Sequence, residues 1–162
     1  MIQIKAPHRI DVTKETFIVF LAGSIEMGKA EPWQDEIAQS LDDLPITFFN
    51  PRRDDWDSSW VQSIDNPQFN EQVNWEMNSI DHSHLVVVVF DPSTKSPITL
   101  LELGLVAARG GWGEVIVLCP EGFWRKGNVD IVCDRFDIPM VESKEELSLA
   151  IRVAYQRYML IS

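Results

Sequence analysis

The sequence predicts an α/β protein in which strands and helices alternate and build a doubly wound, mostly parallel sheet. Two observations support this fold class. Short, almost wholly apolar segments recur along the chain, and "LVVVVF" at 85–90 is continuous and β-branched, as strands buried on both faces are. Between these segments, apolar residues recur at helical spacing. We therefore expect one domain over residues 1–162, with five strands and helices on both faces of the sheet.

The elements follow one another in a regular order after an irregular lead-in at 1–15. Strands are predicted at 16–23, 45–51, 85–90, 114–120 and, weakly, 138–141. Helices are predicted at 32–41, at 69–80, from Pro97 to near Gly110, and from the Ser143-x-x-Glu146 capping box to about Tyr158. This order is typical of flavodoxin-like and Rossmann-like folds, which bind ligands at the carboxyl ends of their strands, at a switch point.

Composition excludes several classes of partner. A formal net charge of -11 argues against a nucleic acid polymer, because binding there depends on Lys and Arg at phosphates. No apolar run reaches the length of a bilayer span, and no signal peptide opens the chain, so we expect no membrane partner. Cys119 and Cys133 form no C-x-x-C pair and indicate reduced thiols in the cytoplasm.

Three motifs are better explained without a catalytic role. "GSIEMGK" at 23–29 fits a phosphate loop, but Ala30 lacks the hydroxyl for magnesium and Glu26 places a negative charge in the cradle. His8, His82 and His84 lack the spacing of metal ligands, so we expect no metal or other cofactor. The arginines of "NPRRDDW" at 50–56 could touch a ligand, but surface pairing with Asp54 or Asp55 explains them better.

Glu102 is an acid in a predicted helix that is otherwise almost wholly apolar. The segment "SPITLLELGL" at 96–105 opens a helix whose other residues are almost all apolar. An ionised carboxylate in such surroundings is costly unless it is paired or used. Glu102 follows the central strand and is expected to face the crevice at the switch point. Glu76, on the preceding helix, is by contrast expected from the sequence alone to be solvated beside Glu71.

The run "FNEQVNWEMNSIDHSHLVVVVFDPSTKSPITLLELGLVAARG" resembles the nucleoside 2-deoxyribosyltransferase family. "VFLAGSI" near the start and "RKGNVDIVCDRF" after the fourth strand extend the resemblance over most of the chain. The family implies transfer of 2-deoxyribose between nucleobases. It implies small nucleosides and nucleobases as substrates, and a homo-oligomer whose subunits share active sites.

The resemblance also implies roles for individual residues. Glu102 matches the nucleophile of the family's "E-L-G", and Glu76 stands where an Asp usually positions the sugar and handles protons. Ser96 replaces an Asp that binds the 5′-hydroxyl. Asn128 of "GNVD" is the candidate contributed by a neighbouring subunit, and Asp130 lies in the same segment. The turn after Ala22 and Gly23 is expected to approach the substrate.

Two alternative functions remain open from the sequence. Related hydrolases of 2′-deoxynucleoside 5′-monophosphates carry a Ser at the position of Ser96, which favours hydrolysis of a phosphorylated substrate. Those hydrolases carry an Arg in the turn where this chain has Glu26, which argues against it. The other alternative is a non-catalytic nucleotide-binding module on the same fold.

Overall fold

A computed structural model describes residues 1–10, 16–25, 32–109 and 114–161. The six strands are β1 (Ile2–Lys5), β2 (Phe17–Gly23), β3 (Ile46–Asn50), β4 (Leu85–Val89), β5 (Glu114–Leu118) and β6 (Met140–Val141). The five helices are α1 (Trp33–Ser40), α2 (Pro67–His82), α3 (Pro97–Arg109), α4 (Lys126–Arg135) and α5 (Lys144–Ile161).

The strands form one parallel sheet in the order β1-β3-β2-β4-β5-β6. From β2 the chain moves first to β3 on one side and then to β4 on the other. The order of the last five strands is that of flavodoxin-like sheets, and it places the switch point between β2 and β4. The doubly wound class is therefore confirmed.

Alternate residues of each central strand enter different layers of core. Ile18 and Phe20 of β2 pack with α2, α3 and α4, whose buried residues include Trp75, Leu103 and Val129. Val19 and Leu21 face the opposite layer, with α1 and α5, whose buried residues include Trp33, Ile37, Leu147 and Ile151. Because β2 and β4 are covered on both faces, they are apolar throughout.

The structure corrects the predicted number of strands. The expected irregular lead-in at 1–15 contains β1, which pairs with β3 from Ile2 opposite Thr47 to Lys5 opposite Asn50. The sheet therefore has six strands instead of five. β1 is a four-residue edge strand with polar Gln3 and Lys5, so it carries little of the apolar signal that marks the central strands. Residues 11–15 lie outside the described residues.

The segment after β5 was also missed as a helix. Only Val129 and Cys133 of α4 are buried, and Arg125 makes no side-chain cap. Two buried residues form only a narrow apolar stripe on the helix, so the sequence of α4 shows a weak helical periodicity. By contrast, the predicted cap of α5 is present, although Glu146 accepts from the residue before Ser143 and not from Ser143 N as in a full capping box. Ser143 Oγ accepts a hydrogen bond from Glu146 N at 3.1 Å, and Glu146 Oε2 accepts one from Glu142 N at 2.8 Å.

None of the helices in the described part of the chain combines the length and apolar character that crossing a bilayer requires.

Candidate active site at the sheet switch point

The carboxyl ends of β2 and β4 meet closely. Ser24 N donates to Val89 O at 3.0 Å, directly after Gly23. A Cβ on Gly23 would lie 2.6 Å from both the Trp33 ring and Val89 O, so packing between β2, α1 and β4 requires glycine here. Ala22 is fully buried, whereas Gly23 is partly exposed at the end of the strand. Their contact with substrate stays a prediction.

Three buried hydroxyls lie at this junction. Ser24 Oγ hydrogen-bonds with Ser96 Oγ, and Thr94 Oγ1 lies 2.9 Å from Ser24 Oγ and 2.7 Å from Ser96 Oγ. Ser96 adopts a φ of 46°, a conformation that non-glycine residues rarely take. The three hydroxyls therefore connect the turn after β2 to the start of α3, where Ser96 was expected to bind the sugar.

Glu102 lies on the buried side of α3, in the layer that also contains Leu103 and Val106. Its residue surface is only 7% exposed. Burial raises the pKa of Glu102 well above its ordinary value, and the negative charge of Glu76 raises it further. The two carboxyl groups are therefore close enough for their charges to interact.

The expectation that Glu76 is solvated beside Glu71 was wrong. Burial raises the pKa of Glu76, whereas Glu71 is exposed and accepts a hydrogen bond from Arg53. The chain enters α2 at the carboxyl edge of the sheet, where Gln72 Nε2 donates to Pro51 O at 2.9 Å. This orientation brings Glu76, one turn further along the helix, towards Glu102.

Gln72 is a site residue that sequence reasoning missed. Its side chain is buried, and Nε2 donates to Glu76 Oε1 at 2.9 Å as well as to Pro51 O. This hydrogen bond favours the ionised form of Glu76 and partly opposes the effect of burial on its pKa. The sequence signal was the spacing of four residues, which places Gln72 and Glu76 on the same helix face.

The residues expected from a neighbouring subunit lie on α4. Asn128 is exposed, and Asp130 is partly buried. Asp130 Oδ1 and Oδ2 accept hydrogen bonds from Lys126 Nζ at 2.9 and 3.1 Å, so its carboxylate is paired within the same helix. Within the subunit, α4 packs beside α3.

Arg53 of the "NPRRDDW" segment pairs with Asp55 as predicted, although its own side chain is buried and not at the surface. Its Nε donates to Asp55 Oδ1 at 2.6 Å and its Nη1 to Glu71 Oε2 at 2.9 Å. The guanidinium also lies 5.0 Å from the centre of the Trp60 ring. Arg52 is partly buried, and its backbone N–H donates to Asn50 Oδ1.

The histidines have structural contacts. His84 Nδ1 accepts a hydrogen bond from Ile18 N at 3.0 Å, so this ring is neutral, and burial lowers its pKa. The Nδ1 atoms of His8 and His82 lie at hydrogen-bond distance from the carbonyl oxygens of Lys5 and Asn78. Across the described ranges, no group of three or more His, Cys, Asp or Glu side chains is placed to hold a metal ion.

Cys119 and Cys133 are buried free thiols, which excludes a disulfide between them. Burial raises the pKa of each thiol to about 11, so neither is a ready nucleophile at neutral pH. Residues 26–29 of the rejected phosphate-loop match, and Ala30 after it, lie outside the described residues.

Comparison with known proteins agrees with this geometry. The crystal structure of a conserved protein from Enterococcus faecalis V583 superposes with a TM-score of 0.58 at 16% identity, over 85% of this chain and 98% of that chain. This likeness shows the shared fold alone. No curated protein matches the chain. The family described as "Nucleoside 2-deoxyribosyltransferase like" matches residues 16–123, which include both carboxylates and Ser96. The chain therefore belongs to the nucleoside 2-deoxyribosyltransferase-like family.

Proposed function

We propose that this protein transfers 2-deoxyribose between nucleobases through a covalent glycosyl-enzyme on Glu102. The observation that carries the proposal is the burial of Glu102 in an apolar helix with a second carboxyl group, Glu76, close enough to raise its pKa. Retaining glycosidases use a pair of carboxyl groups to break a glycosidic bond. We expect the two groups to lie about 5–5.5 Å apart around the bound sugar, as in those enzymes.

The protons of this pair fit the reaction. Burial raises the pKa of both carboxyl groups, and the negative charge of Glu76 raises that of Glu102 further, so the resting pair favours keeping a proton. As the C1′–N bond breaks, its electron pair leaves with the base, and the proton of the carboxyl pair passes to the base nitrogen. Ionised Glu102 then forms an ester bond to C1′.

The second half of the reaction reverses the first. A new base attacks C1′ and displaces the Glu102 carboxylate, and its proton returns to the carboxyl pair. A water molecule at the same step would give hydrolysis. Desolvation assists both halves, because a poorly solvated carboxylate is best stabilised when positive charge develops on the sugar beside it.

The remaining proposed roles rest on the sequence resemblance to the family. Ser96, with Asn128 of the partner subunit, would bind the 5′ end of the sugar, and Ala22, Gly23 and Asp130 would complete the substrate site. Asn128 is exposed, and apolar Ile98 and Leu101 of α3 and Ile131 of α4 are exposed too. These surfaces support a homo-oligomer with shared sites. The proposed setting is nucleoside salvage in the cytoplasm.

Base exchange is the test of this function. The protein is incubated with deoxyinosine and free adenine or cytosine, and the products are separated by chromatography. We expect hypoxanthine together with the new deoxynucleoside, and we expect Glu102→Ala to abolish both. Sustained exchange by Glu102→Ala would contradict the proposal, and nucleoside binding without any product would indicate a non-catalytic binding module.

A second candidate is hydrolysis of deoxynucleoside 5′-monophosphates, which Ser96 favours by family resemblance. The same two carboxyl groups would serve, with water as the acceptor. Comparing deoxyinosine with its 5′-monophosphate separates the two functions. Faster release of hypoxanthine from the monophosphate, with no transfer to a second base, would support hydrolysis.

A further inference from the structure

The side-chain amide of Gln72 donates both of its N–H protons within the site. Nε2 donates to Pro51 O and to Glu76 Oε1, each at 2.9 Å. Pro51 O can only accept a hydrogen bond, so the nitrogen of the amide must face it and the oxygen cannot. The loop after β3 therefore fixes the direction in which Gln72 presents its second N–H to Glu76.

This orientation of Gln72 is maintained at a cost. The residue is only 4% exposed, and its Oε1 atom is buried without a hydrogen-bond partner in the described part of the chain. A buried acceptor without a partner is unfavourable, and most buried polar groups are paired. Departures of this kind are expected at functional sites, where geometry is kept at the expense of stability.

The hydrogen bond from Gln72 also decides which oxygen of Glu76 carries a proton. Because Oε1 accepts this bond, it is the carbonyl oxygen whenever Glu76 is neutral, and the carboxyl proton lies on Oε2. On α3, the titratable group that interacts with Glu76 is Glu102. Glu71 of α2 is exposed and accepts a hydrogen bond from Arg53 in the loop after β3. When Glu76 holds the proton of the pair, that proton therefore has one defined position.

We propose that Gln72 is a positioning residue for the sugar transfer, which holds Glu76 by Oε1 so that Oε2 exchanges the proton with the base. The inference rests on the proposed function, in which the carboxyl pair protonates the leaving base. As the C1′–N bond breaks, its electron pair takes the proton onto the base nitrogen. The electrons of the O–H bond stay on Oε2, and Glu76 becomes a carboxylate. Gln72 acts on this step only through Glu76.

The first test compares Gln72→Met with the wild type. Methionine fills a similar volume but donates no hydrogen bond, so Glu76 loses the group that favours its ionised form. The two pKa values of the carboxyl pair should therefore rise by about one unit in total, the effect of one hydrogen bond to a charged group. Carbon-13 NMR of the glutamate carboxyl groups across the pH range measures this rise without turnover.

Base exchange with deoxyinosine and free adenine gives the second readout. The reaction needs a pair that holds one proton, so the rate should fall at low pH, where it holds two, and at high pH, where it holds none. In Gln72→Met the midpoints of these two limbs should rise by about one pH unit in total. We expect kcat to fall by about tenfold or more, and KM to change by less than about threefold, because Gln72 positions Glu76 and does not bind substrate.

Two further variants separate this role from a structural one. Gln72→Lys keeps a donor and adds a positive charge beside Glu76, so the limbs should move to lower pH. Asn66→Ala removes the cap at the start of α2, where the Asn66 side chain accepts a hydrogen bond from Phe69 N at 3.0 Å. It weakens the same helix but removes no hydrogen bond from Glu76, so its limbs should stay in place.

The inference is overturned if Gln72→Met leaves the carboxyl titration and the limbs unchanged, or if Asn66→Ala shifts them equally. It is also overturned if Gln72→Lys moves the limbs to higher pH, and this variant decides the question alone if Gln72→Met does not fold. Any of these results with an active wild type leaves the proposed function intact. Absence of base exchange in the wild type, with the titration of Gln72→Met shifted as expected, would refute the proposed function and leave the hold of Gln72 on Glu76 standing.

Discussion

Glu102 lowers the stability of the folded protein at neutral pH. Burial and the charge of Glu76 raise its pKa above the ordinary value of 4.5, so the folded state retains a proton that the unfolded chain releases. The stability that this group contributes is therefore present below about pH 4.5 and is lost as the pH rises through the raised pKa. Glutamine has nearly the same shape and does not ionise.

We therefore expect Glu102→Gln to unfold at a higher temperature than the wild type at about pH 8, by about 2–4 °C, the shift that 1 kcal/mol gives at this chain length. The difference should shrink towards about pH 4, where the wild-type carboxyl group is protonated in both states. Thermal unfolding of the two proteins across this pH range measures it.

Comparing Glu102→Gln with the wild type cancels the contributions of all other titrating groups to the pH dependence of stability. Burial lowers the pKa of His84, so the stability that His84 contributes has the opposite pH dependence. It is present above about pH 6.5 and is lost as the pH falls below that value. Both proteins keep His84, and the difference between them isolates the carboxyl pair. Glu145→Gln, in the exposed first turn of α5, is the matched control. A Glu102→Gln variant less stable than the wild type at every pH would contradict this interpretation.

The sequence predicted that Glu102 is an unusual acid for an apolar helix, but it did not predict that Glu76 lies near it. A lone acid in an apolar helix is visible in the sequence. The position of Glu76 depends on which end of α2 meets the carboxyl edge of the sheet, and the contact of Gln72 with Pro51 sets this. That contact joins residues from separate elements, which no local periodicity encodes.

At the scale of the element, the start of α5 gives a prediction on stability. Ser143 Oγ accepts the hydrogen bond from Glu146 N, which would otherwise lack an intrahelical acceptor. Ser143→Ala should therefore lower the free energy of unfolding by about 1 kcal/mol. Urea denaturation measures the change. The exposed Gln156→Ala on the same helix should change it by less than about 0.5 kcal/mol, and an equal loss in both variants would argue against the cap.

The elements that the sequence predicted are those with strong local signals. β2 and β4 are apolar throughout, and the Ser143–Glu146 pattern marks α5 directly. β1 and α4 were missed because each buries few side chains. β1 lies at the sheet edge, and α4 buries only Val129 and Cys133, so tertiary packing decides their conformation.

At the scale of the whole molecule, the switch point explains why distant segments form one site. The expected α/β class and the crevice follow from the alternation of strands and helices. The exact strand order does not, because nothing in the sequence places β1 beside β3. The family match ends at residue 123, so the assignment of Asn128 depends on the sequence resemblance beyond that point.

Shared active sites make a prediction about mixed subunits. If Glu102 and Asn128 of one site come from different subunits, Glu102→Ala and Asn128→Ala homo-oligomers should each be impaired. Mixed after reversible dissociation, they should regain activity, up to about a quarter of wild-type sites for a dimer. Base exchange in the mixture measures this gain. Activity no greater than the average of the two variants would place both residues in one subunit, or Asn128 outside the site.

The covalent intermediate is the most direct test of the role given to Glu102. The protein is incubated with deoxyinosine without a free acceptor base, quenched in acid, and analysed by intact-mass and peptide mass spectrometry. We predict a mass increase of one deoxyribosyl group, located on the peptide that contains Glu102, absent from Glu102→Gln and retained by Glu145→Gln. Turnover with no adduct on that peptide, or with the adduct on another residue, would contradict the central claim.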